Sequence, residues 1–188
     1  MAKPPNVDDR TREDEILAIR CQLGERAAFD DLIHRWNDPL WRYVRRLAGS
    51  DESASDILQD AWLRVLRGIP RLRHPAKLRP WLFGIARRAA MDRLRDQYAR
   101  PADAGVDVAD LPAGESTDAI EEDLAAMHQE LSRLPLIERE VLTLFYLKDL
   151  SLDEVGDVLN VPVGTVKSRL FRARHLLRRE LTLKGVRP

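Results

Sequence analysis

The chain has 188 residues, its 31 Lys and Arg balance 31 Asp and Glu, and 44% of its positions are hydrophobic, the composition of a soluble protein of one ordinary domain or two small ones. A single cysteine, Cys21, excludes an internal disulfide. No apolar run nears the roughly 20 residues of a membrane span, and the polar, acidic N-terminus is no secretory signal, so a cytoplasmic protein without membrane insertion is expected.

Hydrophobic periodicity is helical nearly throughout, with no sustained strand-like alternation, so the expected fold class is all-α: two small helical domains joined by an acidic flexible linker. Ile16, Ile19 and Leu23 set the period of a short first helix. Phe29, Leu32, Ile33, Trp36, Leu40, Tyr43, Val44 and Leu47 keep three-and-four spacing across a long second one, which Pro39 should kink because it removes a backbone donor. In the third, Ser50 or Ser53 is the cap, Ala54, Ile57, Leu58, Ala61, Trp62, Val65 and Leu66 form the buried stripe, and Gly68 with Pro70 ends it. A basic loop from Arg71 to Arg79 leads to a fourth helix starting near Pro80. It buries Trp81, Leu82, Ile85 and Ala89, with Arg87, Arg88, Met91 and Arg95 on other faces. This closes an N-terminal four-helix domain, residues 1–100.

Residues 101–118, PADAGVDVADLPAGESTD, have no period, two Pro, two Gly and five acidic residues, and read as the linker. The second domain, residues 119–188, opens with a helix lined by Ile120, Leu124, Met127, Leu131 and Leu134. Pro135 starts another, with Val141, Leu142, Leu144 and Phe145 inside. Ser151-Leu152-Asp153-Glu154 is a capping box. Its helix runs to about Leu159, Asn160 and Val161 turn the chain, and a last helix extends from about Val163 to Leu181.

The balanced total charge hides a sorting along the chain. Residues 60–100 carry 11 Lys and Arg against 3 Asp and Glu (+8), residues 101–140 carry 2 against 11 (−9), and residues 161–188 carry 8 against 1 (+7). Two basic blocks around an acidic one point to separate partner surfaces, and nucleic acid is the usual partner of such blocks. A short helix, a tight turn and a longer basic helix have the layout of a helix-turn-helix, whose second helix enters the DNA major groove. With Val166, Leu170, Leu176 and Leu177 facing the core, Thr165, Lys167, Ser168, Arg169, Phe171, Arg172 and Arg174 face outward. Lys167 and Arg172 suit guanine acceptors, Thr165 and Ser168 suit bases or phosphates, and Phe171 suits a thymine methyl group. Arg178 and Arg179 suit phosphates or solvent. His34, His74, His128 and His175 are scattered without ligand spacing, and Cys21 has no partner near it, so neither a metal nor another cofactor is expected. No phosphate-cradling loop or nucleophile motif suggests an enzyme.

Specific motifs narrow this reading. Leu134-Pro135, Arg139-Glu140-Val141-Leu142, Leu150-Ser151-Leu152-Asp153-Glu154-Val155-Gly156, Pro162-Val163-Gly164-Thr165-Val166-Lys167-Ser168-Arg169 and Arg172-Ala173-Arg174 together resemble the C-terminal domain of extracytoplasmic-function (ECF) sigma factors, promoter-specificity subunits of bacterial RNA polymerase. In the N-terminal half, Asp56-Ile57-Leu58-Gln59-Asp60-Ala61-Trp62 resembles the family's clamp-binding helix. Trp81-Leu82-Phe83-Gly84-Ile85-Ala86-Arg87 with Asp92-Arg93-Leu94-Arg95 resembles its promoter-melting helix.

The resemblance implies that Asp56, Gln59, Asp60 and Arg64 meet the clamp of core RNA polymerase, and that the flap region is a further contact. It implies that Leu72, Arg73, His74, Pro75, Ala76 and Lys77 form a loop receiving a flipped base of the non-template strand, while Arg87, Arg88, Met91 and Arg95 track that strand at the −10 element. It implies −35 duplex recognition by the helix-turn-helix, sequestration by an anti-sigma factor, and a linker threading through the polymerase cleft; a plain tether is the other reading of the linker. Trp81 is either core or a base-stacking platform. Arg88 stands where many members carry Asn and the loop LRHPAKLRP is not the usual glycine-containing one, so no promoter sequence carries over; Asn160 replaces the glycine common in the turn, a tolerable change because Asn accepts left-handed backbone angles better than most residues. A sigma mimic that titrates an anti-sigma factor, and a stand-alone dimeric regulator, are the rival readings.

Overall fold

The computed structural model describes residues 7–48, 50–99 and 133–183. Its elements are all helical, and the chain divides into two compact units, residues 1–100 and 101–188. The linker and the expected helix from Ile120 through Leu131 lie outside the described residues; Leu134, just after them, is buried.

The N-terminal unit consists of α1 (Val7–Gln22), α2 (Arg26–Ala48), α3 (Asp51–Gly68) and α4 (Leu78–Ala99), with two single 3-10 turns, Ile69–Arg71 and Pro75–Lys77, between α3 and α4. Each of α1, α3 and α4 packs on α2 or on its neighbour in sequence, and α1 also covers both 3-10 turns. Phe83 is the centre of the core. It is fully buried and meets Tyr43 and Trp36 edge-to-face, with ring centroids 5.3 and 6.1 Å apart, the arrangement favoured by the ring quadrupoles. It belongs beside Leu82 and Ile85 in the buried set of α4, which also takes in Ala86 and Ala90.

Several sequence expectations need correction. Helix α1 spans 16 residues rather than a short run, and it buries Leu17, Ala18 and Cys21, while Ile16, Ile19 and Leu23 point outward at 52, 41 and 74% exposure. The small Ala18 and Cys21 let the helix lie close to its neighbours, which the bulkier stripe one position over does not. Burial pushes the Cys21 thiol up to about 11. Helix α2 continues through Pro39, as the expected long second helix does, but Ile33 lies outside its buried face. In α3, Ser50 is the cap, accepting from the Ser53 amide at 3.2 Å, and the buried stripe is Ala54, Ile57, Leu58, Ala61 and Val65. Leu66 is 41% exposed and Trp62 half-buried, its indole donating to Asn37 Oδ1 at 3.0 Å. Helix α4 begins at Leu78, two residues before Pro80. Trp81 is half-buried against α3, where a Cβ on Gly68 would come within 3.0 Å of its ring.

In the C-terminal unit α5 (Leu136–Leu142) widens into a π turn at Thr143–Leu147, followed by α6 (Leu152–Leu159) and α7 (Val163–Leu183). Val141, Leu142 and Leu144 are buried, Phe145 half-buried and Tyr146 exposed. Asp149 takes a positive φ of 49°, and the Leu150 amide then donates to Leu144 O at 3.1 Å, closing the turn into α6.

Candidate nucleic-acid interface

Local chemistry fixes the α6–α7 corner. Ser151 Oγ accepts from the Glu154 amide at 3.2 Å, and Glu154 Oε2 accepts from the Ser151 amide at 2.8 Å, so the capping box satisfies two N–H groups that a helix start leaves over. The helix stops at Asn160, whose φ of 54° and ψ of 51° are left-handed, a conformation Asn tolerates better than most residues. The Val161 amide folds back to Gly156 O at 3.1 Å. A Cβ on Gly156 would sit 3.0 Å from Val161 O, so the corner closes tightly only on glycine. Pro162, lacking an N–H to lose, precedes α7 and accepts from Thr165 and Val166.

Val166, Leu170 and Ala173 seat α7 on the rest of the unit, and Leu176 and Leu177 are half-buried. Ala173 thus takes a core place not assigned to it by sequence. Lys167, Ser168, Phe171, Arg172 and Arg174 are exposed, whereas Thr165 and Arg169 are half-buried. Phe171 stands out at 74% exposure, a large apolar ring on a basic helix. Ser168 Oγ donates to Thr165 O at 3.0 Å, leaving its lone pairs free to accept.

Two arginines of this face are tied to α5 and the π turn. Arg172 Nε meets Glu138 Oε1 at 3.1 Å; the arginine side chain is 71% exposed and the glutamate 6%. Anchoring through Nε leaves the two terminal nitrogens of the guanidinium for another partner. The Arg174 guanidinium lies 5.4 Å from the centre of the Tyr146 ring, within cation–π range. Arg139, on α5, donates to Leu134 O at 3.2 Å, and burial draws its guanidinium below the usual arginine range.

In the N-terminal unit Arg73, His74 and Lys77 are exposed on the segment that joins and includes the second 3-10 turn. On α4, Arg88 and Arg95 are exposed and Arg87 and Met91 half-buried. Spacings of three and four place these on one side of the helix. Arg95 is hydrogen-bonded to Asp92.

The polar row of α3 is tied to α4. Arg64 bridges Asp60 on its own helix and Asp92 on α4, both at 2.7 Å, and Asp56 meets Arg93 at 3.4 Å. The hydrogen bond from Arg64, aided by Arg95, holds the Asp92 carboxyl below its ordinary value against a smaller opposing effect of burial. Asp56 and Gln59 are exposed, Asp60 and Arg64 half-buried, and Leu63 and Leu66 add exposed apolar surface at 46 and 41%. Sequence reasoning missed Glu138, and it placed Asp92 in the melting-helix motif without its ion pair, because both carboxylates act across helix pairs.

Comparison with known proteins shows the family of the chain. Residues 26–100 match the family model "Sigma-70 region 2" and residues 124–177 match "Sigma-70, region 4". The chain is 33% identical to the ECF RNA polymerase sigma factor SigW of Bacillus subtilis, covering 86% of this chain and 93% of SigW. The chain belongs to the ECF sigma factors of the sigma-70 family. It is also 31% identical to the ECF sigma-E factor of Escherichia coli K12, over 87% of this chain and 92% of that one. Among solved structures, CnrH in complex with the cytosolic domain of CnrY aligns with a TM-score of 0.69 at 25% identity, covering 90% of this chain and 97% of CnrH. As a sigma factor, the chain is a transcription initiation factor. Among the described residues, no helix is long and apolar enough to cross a membrane.

Proposed function

We propose that this sigma factor acts in the cytoplasm, binds core polymerase through Asp56, Gln59, Asp60 and Arg64, and reads a two-part promoter with its two units. The observation that carries the reading is the outer face of α7, where Lys167, Ser168, Phe171 and Arg172 stand exposed just past a rigid helix-turn-helix corner. Such a face suits the major groove of a −35 element: Lys167 and the outer nitrogens of Arg172 for guanine, Phe171 for a thymine methyl group, and Thr165, Ser168 and Arg169 for flanking bases or phosphates. At the −10 element the segment with Arg73, His74 and Lys77 receives an extruded base, and Arg87, Arg88, Met91 and Arg95 follow the unstacked non-template strand. Opening a duplex requires such basic tracks beside apolar walls. Residues 1–100, 101–118 and 119–188 serve as melting domain, acidic spacer and −35 domain, the last also meeting the flap region. The chain itself performs no catalysis; nucleotide chemistry belongs to polymerase. An anti-sigma factor covers these same faces in the silenced state.

The test is run-off transcription from fragmented source-genome DNA with purified core polymerase, with and without the chain. Starts that require the chain and share two upstream elements are expected. Binding of core without shared elements at the starts would contradict promoter reading and favour a sigma mimic, and absence of core binding would favour a stand-alone regulator.

A further inference from the structure

We infer that Gln22 is a positioning residue for the −10 loop, and that its carboxamide sets how strictly that loop discriminates among bases. The inference rests on the promoter reading proposed above. Gln22 is the last residue of α1 and half-buried, and its Nε2 donates to two backbone carbonyls, Ile69 O at 3.1 Å and Leu72 O at 2.8 Å. Both amide hydrogens are thereby used, so Gln22 acts through the loop rather than on a base. Ile69 is fully buried, and its carbonyl also accepts from the Leu72 amide at 3.1 Å, so the side chain clamps the first 3-10 turn at the point where the exposed residues Arg73 and His74 begin.

The far end of the loop, its second 3-10 turn, packs on the same helix. Asp14 of α1 is 5% exposed and pairs with Arg35 of α2 at 2.9 Å. Burial pushes its carboxyl up, while Arg35 and, more weakly, Arg79 just past the second turn draw it down. Helix α1 therefore grips the loop at entry through a neutral double donor and packs against its second 3-10 turn. It does so from residues that precede the part of the chain matched by the region 2 model, which begins at residue 26. A loop built only of two single 3-10 turns keeps one shape only if the carbonyls those turns leave over are satisfied from outside.

The test uses the full-length chain with core polymerase on the promoter defined by the run-off experiment and on single-base variants of its −10 and −35 elements. Gln22→Met keeps the length and removes the donors; Gln22→Glu keeps the shape and turns a carboxylate towards two carbonyls. Both are expected to reduce discrimination at −10 positions about tenfold, in line with the loss of two partly buried hydrogen bonds, with discrimination at −35 positions and core affinity unchanged. Amide hydrogen exchange at residues 72–77 is expected to accelerate, with the tryptophan-monitored melt retained. Wild-type discrimination in either variant, or a uniform drop in transcription with base preference intact, would overturn the positioning role. A wild-type chain that gives no promoter-specific starts would instead defeat the functional reading, and this inference with it.

Discussion

Replacing Arg172 with alanine removes a side chain proposed to read bases and also uncovers a buried carboxylate. Arg172 Nε lies 3.1 Å from Glu138 Oε1, and the Glu138 side chain is only 6% exposed. Opposite unit charges at such a distance attract by roughly 4 kcal/mol in the effective dielectric of a protein surface. Desolvation of the glutamate and solvent screening of an arginine that is 71% exposed offset most of that. A net coupling of about 1–2 kcal/mol remains. Arg172→Ala is therefore expected to destabilise the C-terminal unit by about that amount, besides weakening promoter duplex binding by about 1–3 kcal/mol. Lys167→Ala, at an exposed position of the same helix, should cost binding only. The four tryptophans at positions 36, 41, 62 and 81 all belong to the N-terminal unit. Urea unfolding followed by tryptophan fluorescence thus reports that unit, and far-ultraviolet circular dichroism reports both. Arg172→Ala should shift the dichroism transition and leave the fluorescence transition in place. In a double-mutant cycle with Glu138→Ala the two changes should be non-additive by the coupling energy. Additivity within about 0.5 kcal/mol would refute the pair as a structural element and leave Arg172 as a surface residue alone.

Two further outcomes are expected. Asn160 holds a left-handed conformation, so Asn160→Ala should destabilise the C-terminal unit by about 1–2 kcal/mol and Asn160→Gly should not destabilise it; thermal melts by circular dichroism that rank alanine equal to glycine would contradict this. The Asp92 carboxyl is held low by the Arg64 hydrogen bond, so its contribution to stability is fully present above the unfolded value near 3.9 and is lost as pH falls through the lower folded value. Asp92→Asn should accordingly lower the fluorescence-monitored urea midpoint at neutral pH, with the difference from wild type closing in strong acid; a difference independent of pH would show that the ion pair is not its source.

What the sequence made legible was local punctuation. The Ser151–Glu154 box, the left-handed Asn160, the serine cap of α3, which falls on Ser50 of the two serines offered, and the Gly68 stop act within a turn of where they stand, and each is found in place. The face of α1 was not legible. Ile16, Ile19 and Leu23 make the more apolar stripe, yet Leu17, Ala18 and Cys21 are buried, because the room between α1 and its neighbours favours small side chains and a sequence does not state that room. The same gap hid Phe83, whose burial depends on Trp36 and Tyr43 arriving from α2. Periodicity predicts that a helix has an inner face, but the shape of the partner chooses between adjacent stripes.

The outward side of α7 was readable because exposure there is the complement of Val166 and Leu170. How much of its charge is available was not. Residues 161–188 carry a balance of +7, and a count alone assigns all of it to a polyanion. In the folded unit Glu138, 34 positions before Arg172, takes a share of that arginine's charge, and the Tyr146 ring takes up Arg174. Neither partner could be chosen beforehand, since a π turn at Thr143–Leu147 resets the helical phase between Glu138 and Tyr146. These ties also remove part of the rotamer freedom that a free arginine loses on meeting a base. The face therefore offers fewer free cations than its sequence suggests, and holds two of them in one place before DNA arrives.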